Sequence, residues 1–135
     1  MMDSFEDVRA HLGGKHALKD SEPYLLSFDL AMADGRRQSL FLAELEGHNE
    51  RRYLRVSSPI APLGKLDPAK CLRFNWEQRV GYLALSDLEG VPYLQLCENR
   101  PFAGLSAREL DLLLLELGTL ADRLEHLMRD GRDVV

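Results

Sequence analysis

Residues 106 to 128 constrain the fold most, because their pattern suits one structure only, a long amphipathic helix that the rest of the chain must cover. Ser106 and Glu109 form an S-x-x-E capping box that marks its start. At 100° per residue, Leu110, Leu113, Leu114, Leu117, Leu120, Ala121, Leu124, Leu127 and Met128 share an apolar arc roughly 140° wide. That arc faces a core. Leu112 and Leu115 fall on the opposite side, near Asp122, Arg123 and His126, and so require a second neighbour.

Upstream, residues 4 to 12 read as a short helix with Phe5, Val8 and Leu12 on one face and Gly13-Gly14 as its stop. Lys15 to Pro23 is polar and reads as a loop. From Tyr24 the period changes to two, with Leu26, Phe28, Leu30 and Met32 alternating against polar or small residues. Asp34-Gly35 then supplies a hairpin turn. The returning strand, about 37 to 46, is apolar on both faces. Arg51 to Ser57 makes a third strand, with Leu54 and Val56 on one side and Tyr53 and Arg55 on the other. Pro59 and Pro62 predict that Ser58 to Leu66 leaves the sheet as a linker, since proline cannot donate to a ladder. Asp67 and Pro68 predict an N-cap and first turn of a second helix. Leu72, Phe74 and Trp76 are too many large groups for its one narrow stripe. Two strands follow, about 79 to 87 and 91 to 98, and Arg100-Pro101 leads to the capping box. The predicted order is helix, three-strand antiparallel meander, helix, two strands, long C-terminal helix: a single α+β domain with its core over about 4 to 129.

The chain has 135 residues, enough for one core without staples, and a formal charge of −5, which disfavours nucleic acid and anionic membranes as partners. Arg36-Arg37 and Arg51-Arg52 sit at opposite ends of a meander and cannot form one basic stripe; they serve to blunt hairpin ends. Cys71 and Cys97 form no C-x-x-C, and the start lacks an export signal, which together predict reduced thiols and a cytoplasmic location. Asp111 and Glu116 interrupt the leucine run, so no membrane span is expected.

Catalytic parts are not recognisable. His11, His16, His48 and His126 lack metal-ligand spacing and are expected to be solvated side chains, and Asp122 and His126 are expected to form a helix-stabilising pair. Gly64-Lys65 is followed by leucine where a phosphate loop needs serine or threonine. No serine or cysteine stands in a nucleophile motif. No cofactor or metal is expected, and the role is binding. The surplus apolar groups, Leu112 and Leu115 behind the long helix and Leu72, Phe74 and Trp76 around the short one, are covered either within the chain or at an interface, of which a homodimer is the simplest.

Several stretches carry a family resemblance: Gly35 to Gln38, Tyr53 to Ile60, Cys71 to Trp76, Gly81 to Leu85, and Leu105 to Leu110 entering the leucine helix. Together they resemble the YbjN family, which is similar in fold to the class I type III secretion (Tir chaperone-like) chaperones, small acidic dimers with this element order. The resemblance runs from about Tyr24 to Met128. It implies a homodimer built from the short helix and the strand after it, through Cys71, Leu72, Phe74, Trp76, Tyr82 and Ala84, with Leu112 and Leu115 left for an unidentified protein partner. It also implies a chaperone-like sensory or stress regulator. Alternatives are an effector chaperone for type III secretion, or an enzyme or ligand-binding domain whose site is assembled from distant residues.

Overall fold

The computed structural model describes residues 1–64 and 66–129. Lys65, and with it one half of the Gly64-Lys65 pair considered above, lies outside the described residues. The described residues form an α+β fold: a six-stranded antiparallel sheet with three α-helices. The helices are α1 (Phe5–Gly13), α2 (Pro68–Glu77) and α3 (Ala107–Arg129). The strands are β1 (Leu18–Glu22), β2 (Leu25–Ala31), β3 (Arg37–Glu46), β4 (Arg52–Pro62), β5 (Tyr82–Leu88) and β6 (Val91–Pro101).

The sheet order is β1-β2-β3-β4-β6-β5, so β4 pairs with β6 and the α2–β5 segment is carried to the outer edge. Alternation along the central strands turns Leu40, Leu42, Leu54, Val56 and Leu96 to one face, where all are fully buried. α3 lies over that face, mainly on β4 and then on β3 and β6. Its buried residues are Leu110, Leu113, Leu114, Leu117, Gly118, Ala121 and Leu124, which is the predicted arc, narrowed because Leu120, Leu127 and Met128 are only partly covered. Ser106 caps the helix as expected, its Oγ accepting from the Glu109 N–H at 3.1 Å. α1 is capped by Ser4 and adds Phe5, Val8 and Leu12 to the same core.

Two expectations are corrected. Residues 18 to 22 are not loop but β1, paired with β2. Its Lys19-Asp-Ser-Glu22 tract buries nothing, so no apolar alternation announced it. The ladder is reinforced by polar groups: the Asp20 N–H donates to Ser27 Oγ at 3.2 Å, Ser27 Oγ donates to Asp20 at 2.7 Å, and Arg9 of α1 donates to Ser21 Oγ and the Glu22 carbonyl. A charged, polar strand of this kind is a common way to end a sheet without inviting another chain.

The second correction concerns Pro59 and Pro62, which lie inside β4 and not in a linker. The β3 ladder stops at Phe41 opposite Ser57, so beyond that point β4 pairs only with β6 and tolerates proline as an edge strand does. A bulge at Ile60 shifts the β6 register. Side chains replace the missing ladder: buried Ser58 donates to the Ser39 carbonyl at 2.6 Å and accepts from Gln38 Nε2 at 2.8 Å.

Candidate interaction surface

α2 forms where Asp67 and Pro68 placed it, with the Asp67 carboxylate accepting from the Ala69 N–H at 2.9 Å. Its three large side chains divide. Phe74 is 4% exposed and belongs to the core of its own chain, whereas Leu72 and Trp76, one helical turn apart, point outward at 68% and 89% exposure. Cys71 is partly buried against the core. Asn75 joins α2 to the edge of the sheet: its Oδ1 accepts from the Leu83 N–H at 2.7 Å, and its Nδ2 donates to the Leu83 carbonyl at 3.2 Å. One amide side chain thus occupies both backbone groups that Leu83 would offer to an added strand. Next along β5, Leu85 is 55% exposed.

The six residues singled out for dimerisation therefore do not form one patch. Leu72 and Trp76 share the outer face of α2, and Phe74 is withdrawn from it because the narrow helix must bury one large group against the sheet. Tyr82 and Ala84 are half-buried and line a concavity on the sheet face opposite α3. Leu112 and Leu115 are exposed on the outer side of α3, at 41% and 56%. Leu115 stands between two grooves. One, of about 740 Å³, runs between α3 and the α2–β5 connection past Val80 and Leu120. The other, of about 470 Å³, runs between α3 and the β2–β3 hairpin past Met32 and Leu127.

Electrostatics pins these elements together. Asp111 at the start of α3 accepts from Lys15 at 2.7 Å and meets His11 Nε2 at 2.9 Å, holding α1 to α3. Burial works against ionising Asp111, but the bonds and charges of Lys15 and His11 outweigh it and lower its pKa. Asp122 takes two hydrogen bonds from Arg36, at 2.8 and 3.2 Å, which lower its pKa. Its hydrogen-bond partner is thus the β2–β3 turn and not His126, and Arg36 does more than blunt a hairpin end. His16 stacks on Phe28 with centroids 4.1 Å apart, and burial lowers its pKa. His11 and His16 are accordingly engaged, not simply solvated. Burial pushes the Cys97 thiol up to about 11, leaving it protonated and a poor nucleophile at neutral pH. Among the described residues no three of histidine, cysteine, aspartate and glutamate converge as metal ligands, and no helix is long and apolar enough to cross a membrane.

No family model matches the chain, and comparison with curated proteins and with solved structures likewise finds no match. Sequence reasoning passed over Leu85, Asn75 and Arg55. For Asn75 the sequence held no signal, since its partner is backbone eight residues away. For Arg55 the sequence showed only a cation midway along a strand; that β4 has a neighbour on either side is decided by its pairing with β6.

Proposed function

We propose that the chain is a cytoplasmic, chaperone-like regulator of the YbjN kind that works as a homodimer and binds other proteins without catalysing a reaction. The observation that carries this reading is Trp76, a tryptophan 89% exposed beside Leu72 on one helix face, with exposed Leu85 on the adjoining strand. Burying a side chain of this size contributes about 2 kcal/mol, and a two-fold axis uses each residue twice. A flat apolar face flanked by an edge that Asn75 already occupies at Leu83 favours helix-to-helix contact over strand addition. Leu112 and Leu115, with a groove on either side of Leu115, remain for the apolar anchors of a client segment.

The YbjN kinship is supported by element order. From β2 onward the chain runs strand, strand, strand, helix, strand, strand, helix, the order that the resemblance implies, with β1 as an addition on the far edge. The two carboxylates with lowered pKa are both engaged in ion pairs that hold elements together, which suits a binding surface better than an acid-base site.

Light scattering at micromolar concentration tests the dimer. The native chain should run at twice its formula mass, and the pair Leu72→Glu and Trp76→Glu should give a folded monomer. Phe74→Asp should instead unfold the chain, because that residue lies in the core. A native monomer, or a double variant that stays dimeric, refutes this assignment.

A further inference from the structure

The sheet face opposite α3 carries a second feature that the dimer does not require. Phe41, Ser57, Gln95 and Cys97 floor a concavity of about 260 Å³, with β5 as one wall and Leu25 and Arg55 on the other side. Among the described residues it is lined only by strand residues, and no helix packs into it. Among the described residues Arg55 makes no hydrogen bond or ion pair, and its Nε is both buried and without a partner. A cation on a central strand, partly out of water and with its Nε buried and unpaired, is costly unless something supplies an acceptor.

We propose that this concavity is a binding site for a small monocarboxylate, with the Arg55 guanidinium receiving the carboxylate and Phe41, Leu25 and Ala84 receiving its apolar body. The charged fork of arginine matches a carboxylate in shape. Ser57 and Gln95 supply further hydrogen-bonding groups on the same floor, and Asp87 at the β5 end disfavours a second negative charge on the ligand. At about 30 Å³ per water-sized group, the volume holds about nine such groups, which fits an aromatic or medium-chain acid and excludes a nucleotide. Leu72 and Trp76 lie outside the concavity, whereas Leu85 lines it and also borders the proposed dimer face.

Titration calorimetry and amide NMR on the full chain test it, with benzoate and hexanoate as probes and benzamide and hexanamide as uncharged controls. The acids should saturate and shift the Ser57 and Gln95 resonances, while the amides bind at least about tenfold more weakly. Arg55→Gln should bring acid binding down to the amide level, and Arg55→Lys, which keeps the charge but loses the fork, should fall between. A leucine-terminated tripeptide with a free C-terminus, compared with its amidated form, shows whether a chain end can supply the same carboxylate. Equal binding of acids and amides, or no saturation by either acid at millimolar concentration, overturns the proposal. So does a change of oligomeric state in Arg55→Gln, which would mean that the guanidinium faces a second copy of the chain.

Discussion

Asn75→Ala separates the role of α2 as a clamp on the sheet edge from its role as a surface. The substitution removes two hydrogen bonds to Leu83, of 2.7 and 3.2 Å, each contributing about 1 kcal/mol. It also leaves the N–H and C=O of a residue only 7% exposed without their partner, at a cost of up to about 1–3 kcal/mol if water does not replace it. Alanine is the better helix former by about 0.5 kcal/mol, which offsets part of the loss. The net expectation is about 2 kcal/mol. For a chain of this length that lowers the Tm by about 6 °C. Thermal unfolding followed by circular dichroism reads the shift, and hydrogen exchange at the Leu83 amide locates it. Arg73→Ala, on an exposed position of the same helix, is the control and should stay within about 0.5 kcal/mol of the native chain. If Asn75→Ala melts within about 2 °C of native, a shift worth less than about 1 kcal/mol, and Leu83 exchange is unchanged, the clamp contributes nothing.

Two further outcomes follow from the packing. Stability should fall in stages on acidification. His16 has a lowered folded-state pKa, so its contribution is lost as pH drops below its unfolded value of 6.5. Asp111 and Asp122 have lowered values as well, so theirs is intact above the unfolded 3.8 and lost as pH falls through the folded values; denaturant midpoints against pH for His16→Gln and Asp111→Asn should each remove one stage. Gly81→Ala should destabilise by about 1–3 kcal/mol, because Gly81 has φ +96° and an added Cβ would lie 3.1 Å from Leu96 and 3.3 Å from Leu117; an unchanged urea midpoint would contradict this.

Much of the architecture was legible in local pattern. The capping box and heptad-like leucines determined α3, Asp67-Pro68 determined the start of α2, and alternation around Asp34-Gly35 determined the β2–β3 hairpin, whose Ala31 pairs with Arg37. These signals are local because each lies within one or two turns of chain. β1 and the proline-bearing half of β4 were not legible, because what makes them strands is a neighbour distant in sequence: β2 with Arg9 for one, and β6 with the Gln38–Ser58 bridge for the other.

The surface divides in the same way. Sequence alone determined that α2 carried more large apolar groups than it could bury, and that Leu112 and Leu115 lay behind α3. Which of the three α2 groups would turn inward was decided by where the helix meets β5, and Asn75 fixes that contact through backbone atoms that carry no sequence identity. The uncovered sheet face depends still more on tertiary structure: Arg55, Phe41 and Gln95 sit on three different strands and meet because β4 pairs with β6 across the α2 excursion. Periodicity tells a residue which side of its own element it occupies; only the assembled sheet determines what, if anything, lies opposite.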